Sequence, residues 1–330
     1  MQTEAAPLVK PTTSNLAAHE LYLKGRYLWN KRTVDALTKA SAYFQQAIEQ
    51  DPSYALAYVG QADATALLFD YGSTTAAVAL PKAKEAALKA LELDESLAEA
   101  HEVLGLISAY NYEWSVAERE CRRAIELKPG YLSAHHRYAV LLRLMGRVKE
   151  GLAEAERARQ LDPTSVIINS SMTTLLIDAR EYDRAIEQAK KTLELDPGFW
   201  LEHMHLARAY LEQGRYAEAV AELEKLRPFA AIPVIYTGVL GYAYVMSGQR
   251  VEGLRILAEL EERSKREYVP PTALALIYTG LGNKDQAFAW LDRAYAERDT
   301  WLLHMKSHSA FDTLRSDPRF TPLLKQMHLE

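Results

Sequence analysis

Apolar residues along this chain recur at helical spacing in short blocks separated by polar, turn-prone stretches, and the blocks repeat. The phrase AIELKPG at 124–130 returns as ARQLDPT at 158–164 and TLELDPG at 192–198, with earlier forms AIEQDPS at 47–53 and ALELDES at 90–96. Steps of 34 from Gly105 reach Ala139, Thr173, Ala207, Gly241 and Ala275. The same step from Ala117 reaches Gly151, Ala185, Ala219, Gly253 and Ala287. A third column, Leu104, Tyr138, Met172, Leu206, Leu240 and Leu274, is large and apolar. A fixed period of this length marks helix pairs that stack. The small columns lie where the two helices of a pair cross, and the large column fills the space around the crossing. Gly146, Gly214, Gly248 and Gly282 share a turn column suited to helix ends. Pro129, Pro163 and Pro197 close three units, because proline is poor inside a helix but acceptable in its first turn.

The pattern predicts an all-α solenoid of about eight helix pairs, in units near 18–53, 54–96, 97–130, 131–164, 165–198, 199–232, 233–266 and 267–300. Residues 1–16 read as a flexible tail or linker, and residues 301–330 as capping helices over the apolar end of the last unit. Asp317 followed by Pro318 is a helix-start signal in that cap. The second unit is longer than the others, and its additional residues, around 70–82, are rich in Gly, Ser and Thr and predict a loop. Residues 228–249 carry no charge and are long enough to span a bilayer. They contain Pro233, Gly238 and Gly241 and keep the repeat register, so they are read as a buried repeat helix.

These columns resemble the tetratricopeptide repeat. The segment LGLISAYNYEWSVAERECRRAIELKP at 104–129 follows its pattern, with Cys121 where an aromatic residue usually stands. The segment LARAYLEQGRYAEAVAELEKL at 206–226 follows it with Tyr210 and Tyr216. Residues 17–33 and 311–327 are also similar to the repeat regions of bacterial multidomain signalling proteins, which join such arrays to a serine/threonine kinase, a winged-helix regulator or a cyclase. The resemblance implies a right-handed superhelix that binds a peptide or helix of a partner protein in its concave groove. It equally leaves open a sensory or regulatory arm whose effector domain is not in this chain. The lysine and asparagine pair with which family members clamp the carboxylate tail of heat-shock chaperones is missing.

Composition narrows the functional classes. The formal net charge of −5, with both signs interspersed, gives no electrostatic grip on a phosphate backbone, so no nucleic-acid partner is expected. Cys121 is the single cysteine, which excludes an internal disulfide and a cysteine-based zinc cluster. His101, His135 and His203 share one column on different units, the third, fourth and sixth, too far apart for one ion. His304 and His308 have chelating spacing if helical, but no third ligand is evident. No nucleophile elbow, phosphate loop or dinucleotide fingerprint is present, so neither catalysis nor a cofactor or metal is expected. A protein or peptide partner is expected, without membrane insertion. Oligomeric state is left open, and so is compartment, with the cytoplasm favoured over the periplasm.

At about 100° per residue, one arc of each first helix lies opposite the packed one, and the resemblance to the tetratricopeptide repeat implies that this arc faces the inner groove. It includes His136, Val140, Arg143, Met204, Arg208 and Tyr242, the candidate partner-binding residues. Mainly apolar with two arginines, the arc suits an amphipathic helix or extended peptide carrying an acidic residue. Charge reversal at Arg143 and Arg208 is expected to remove binding without disturbing the fold. The alternative is that these side chains only pack between adjacent units.

Overall fold

A computed structural model describes residues 13–227 and 233–330. Most of the 1–16 tail, and the first residues of the uncharged 228–249 stretch, lie outside the described residues. Eight consecutive helix hairpins follow one another: α1 (Leu16–Trp29) with α2 (Val34–Gln50), α3 (Ala55–Asp70) with α4 (Ala76–Leu93), α5 (Ala98–Tyr110) with α6 (Trp114–Leu127), and α7 (Leu132–Leu144) with α8 (Val148–Leu161). The remaining four are α9 (Val166–Asp178) with α10 (Tyr182–Leu195), α11 (Trp200–Glu212) with α12 (Tyr216–Glu224), α13 (Ile235–Met246) with α14 (Arg250–Arg263), and α15 (Pro271–Gly280) with α16 (Lys284–Glu297). Two 3-10 segments, Thr300–His304 and Ser309–Leu314, and a last short helix, α17 (Phe320–Gln326), complete the all-α solenoid.

The small columns meet at the crossings. A methyl group on Gly105 would lie 2.8 Å from Cys121 Sγ and 3.3 Å from the Ala117 carbonyl, and one on Gly151 would lie 3.0 Å from the Ala139 carbonyl. The turn column is more general than its glycines. Left-handed backbone occurs at Gly146, Gly214, Gly248 and Gly282, and one or more periods away at Tyr112 and Arg180, with equivalents at Arg32 and Gly72. At most of these turns the amide after the left-handed residue donates to a carbonyl five residues back, as from Arg147 to Leu142 at 2.8 Å and from Glu181 to Leu176 at 2.9 Å. That bond satisfies an otherwise orphaned helix-end carbonyl.

The long second unit differs from the loop expected around 70–82. Helix α4 begins at Ala76, and its buried Ala76, Ala79, Leu80 and Ala83 keep helical spacing through Pro81. The proline ring is exposed, so the carbonyl it leaves without a donor can be hydrated. The non-helical part is confined to residues 71–75.

The array closes on itself. The turn of the first hairpin reaches the sixth, where the Trp200 indole donates to the Arg32 carbonyl at 3.2 Å. Tyr71 of the second turn sits edge-on to Trp200, with ring centroids 5.8 Å apart. Gly72 lies against Tyr268 and Pro270 ahead of α15. Tyr112 of the third turn stacks on Tyr295 of α16, and the Trp114 indole donates to the Met327 carbonyl at 2.7 Å. The exposed area of 15161 Å² is about a tenth above the roughly 13,700 Å² of a single globule of this mass.

Residues 300–330 both cover the last hairpin and enter the interior. The second 3-10 segment packs on α15, and Arg319 lies 4.3 Å over the Phe288 ring of α16. The first 3-10 segment runs inward, burying Leu302 and Leu303. The helix after Asp317 and Pro318 starts at Phe320.

Candidate functional site: the enclosed groove

The inner arcs of the first helices line one cavity of about 220 Å³. His136, Val140, Arg143, Met204, Arg208 and Tyr242 all border it. They converge on one space because neighbouring units set their first helices side by side and closure brings α13 opposite α7. All of the six except Val140 are buried, so the groove is not an open surface.

The arginines are not free to meet an acidic partner. Arg143 Nη1 donates to Asp178 Oδ2 at 3.1 Å, and Arg208 Nη2 donates to Asp178 Oδ1 at 2.5 Å. Burial alone would raise the Asp178 carboxyl, but the Arg208 and Arg143 guanidiniums outweigh it and hold the group far below the usual carboxylate range. Arg208 Nε also faces Glu212 Oε1 at 3.7 Å. Two internal carboxylates therefore stand against the two cations. Charge reversal at both arginines would place two carboxylates beside Asp178 in a buried site, so the expectation that such a variant keeps its fold is corrected.

The other groove residues are also engaged. His136 Nε2 and the Ser171 hydroxyl are 2.7 Å apart, and burial, reinforced by Arg137, Arg32 and Arg143, lowers this histidine's pKa to about 3. Arg137 is held by Glu102 Oε1 at 2.7 Å and Asp63 Oδ1 at 2.8 Å. Several of these partners were readable as a spacing of one period plus one: Glu102 with Arg137, His136 with Ser171, and Arg143 with Asp178. Arg32, Asp63, Asp70 and Trp200 come from distant units, and nothing periodic in the sequence points to them.

The chain's own residues occupy part of the groove. Arg143 Nη1 also donates to His304 Nδ1 at 3.3 Å. His304 and His308 are held well below the usual histidine range, by burial first and then by the arginines facing them. Neither lies on an α-helix, and among the described residues no group of three or more His, Cys, Asp or Glu could hold a metal ion.

The histidine column instead braces a helix pair and the turn that leads into it. His135 Nδ1 meets Glu154 at 2.7 Å and His203 Nδ1 meets Glu222 at 2.5 Å, while their Nε2 atoms contact the carbonyls of Pro129 and Pro197. Buried Cys121 fills space beside Gly105, and burial pushes its thiol pKa up, away from nucleophilic character. No helix among the described residues is long and apolar enough to cross a membrane.

A sequence profile described as tetratricopeptide repeat matches residues 176–231. The transcriptional regulator HilA of Salmonella typhimurium is 29% identical over 144 residues, covering 44% of this chain and 26% of HilA. This chain thus spans about a quarter of that relative. Among solved structures, a thermophilic tetratricopeptide-repeat protein of Thermus thermophilus, TTC0263, superposes with a TM-score of 0.50 at 18% identity, covering 59% of this chain and all of TTC0263. The human IFIT1 dimer with PPP-AAAA superposes with a TM-score of 0.60 at 18% identity, covering 80% of this chain and 69% of IFIT1. With its eight stacked hairpins, this chain has the fold of these tetratricopeptide-repeat structures, and residues 176–231 carry the repeat's sequence profile.

Proposed function

We propose that this protein is a non-catalytic interaction scaffold that receives a short segment of a partner protein in its concave groove. One observation carries the reading: residues 300–308 already sit in that groove as a peptide would. They place Leu302 and Leu303 among apolar side chains and His304 against Arg143. A partner segment would take the same place once the tail leaves. Because Asp178 and Glu212 already balance Arg143 and Arg208, the favoured segment is apolar with a neutral acceptor rather than acidic. This modifies the acidic preference drawn from the sequence.

The test loosens the tail with Leu303→Ala and His304→Ala, then adds a labelled peptide corresponding to residues 299–309. Saturable binding by the loosened protein and weak binding by the intact chain support the groove. Absence of binding to a loosened variant that keeps its circular dichroism contradicts it.

The similarity to HilA over 144 residues favours a second reading, the regulatory arm of a signalling protein. In that reading the groove reports a partner's presence to an effector domain outside this chain. Fusing the chain to a DNA-binding domain and measuring peptide-dependent reporter output separates the two.

A further inference from the structure

Among the described residues, Arg32 is the one arginine bordering the cavity whose guanidinium makes no ion pair, Asp63 acting on it only from beyond contact distance. It is 7% exposed, and its backbone is left-handed, with a φ of 53°. Its side chain lies 3.6 Å over the Trp29 ring, with Arg26 at 4.2 Å from the same ring. Among the described residues none of its guanidinium nitrogens makes a hydrogen bond or ion pair, whereas Arg137 is held by Asp63 and Glu102, and Arg143 and Arg208 by Asp178. Among the described residues the only acid lining the cavity is Asp70, whose backbone carbonyl accepts from the Thr300 hydroxyl at 3.5 Å and whose carboxyl pKa is raised, by burial first, against the opposing pull of Arg137 and Arg32. A buried, unpaired cation is costly, and a protein normally supplies it with an anion.

The surrounding wall defines what that anion is. Leu67, Tyr71, Trp200 and Met204 give the cavity a mainly apolar lining beside Arg32. Its volume of about 220 Å³ corresponds to roughly seven water molecules, below the usual range for drug-sized ligands. We propose that the cavity binds a small carboxylate with a compact apolar body, its carboxylate on the Arg32 guanidinium and its body between Trp200 and Met204. The planar, forked guanidinium matches a carboxylate through two parallel hydrogen bonds. This site needs the tail in place, since Thr300 and His304 also line the cavity, so it is tested on the intact chain without added peptide, and its failure leaves the peptide reading standing.

Calorimetric titration of the intact chain with phenylacetate, phenylacetamide and inorganic phosphate tests the assignment. Phenylacetate should bind saturably at millimolar concentration or below and raise the melting temperature, with phenylacetamide and phosphate much weaker. Arg32→Met should weaken phenylacetate binding by roughly 10- to 100-fold, the loss of a charge-assisted pair, and Arg32→Lys should fall between. If Arg32→Met does not fold, the comparison of acid with amide on the native chain decides alone. Equal binding of acid and amide, absence of phenylacetate binding, or preference for phosphate would each overturn the proposal.

Discussion

Asp178→Asn removes the carboxylate that holds two arginines at the centre of the closed array. The side chain of Asp178 is fully buried, and those of Arg143 and Arg208 are 7% and 10% exposed. An asparagine keeps the shape, but it offers one acceptor oxygen where the carboxylate offered two, and its amide donor faces guanidinium donors. Both arginines already hold a buried Nε without a hydrogen-bond partner, so little is available to compensate. Removing one member of a buried charge cluster costs about 3–5 kcal/mol, because the remaining charges stay desolvated. Urea unfolding followed by circular dichroism should show this loss. Asp285→Asn, whose side chain is 89% exposed beside Arg319, should change stability by less than about 0.5 kcal/mol. Combining Asp178→Leu with Arg143→Met and Arg208→Met, in a Glu212→Gln background so that no buried carboxylate is left without its cation, should recover most of the loss, since a well-packed apolar replacement carries no charge-desolvation cost. A loss for Asp178→Asn below about 1 kcal/mol would refute the charge argument. A combined variant as unstable as the single one would show that packing, not charge, was at stake.

Gly238→Ala should destabilise by about 2 kcal/mol, because its methyl would lie 2.6 Å from the Ala273 backbone, with overpacking of 1–3 kcal/mol partly offset by better helix propensity; unchanged denaturation would mean α13 and α15 are not that close. Exposed Arg180 holds a left-handed φ of 64°, so Arg180→Gly should stabilise by about 0.5–1 kcal/mol, and a destabilised variant would contradict the turn geometry. His203 contacts acceptors at both nitrogens, and its hydrogen bond to Glu222 raises its pKa from 6.5. A raised folded value means that the contribution is full below the unfolded pKa and is lost as pH rises through the folded one. The stability gap between native protein and His203→Gln should therefore be wider near pH 6 than near about pH 9; a gap independent of pH would show that the ring is not charged in the fold.

The hairpins were legible because each depends on contacts within one period. Gly105, Ala117 and Cys121 meet inside a unit, and the turn glycines mark where its helices reverse. Tyr112 and Arg180 hid two members of the turn column, since identity rather than position was read there. Helical geometry set the arc apart and the family resemblance turned it inward, and its six residues border one cavity. The state of that cavity was not legible. Trp200 with Arg32 and Trp114 with Met327 join residues 168 and 213 positions apart, and no local pattern encodes the curvature that brings them together. The partners of the arginines were within reach, since Asp178 stands one period plus one from Arg143.

Small-angle X-ray scattering of the intact chain tests most directly whether the array closes around its own C-terminal segment. The account predicts a compact particle with a radius of gyration of about 20 Å, the value for a globule of this length. An elongated profile with a distinctly larger radius, that of an open superhelix with an accessible groove, would contradict it.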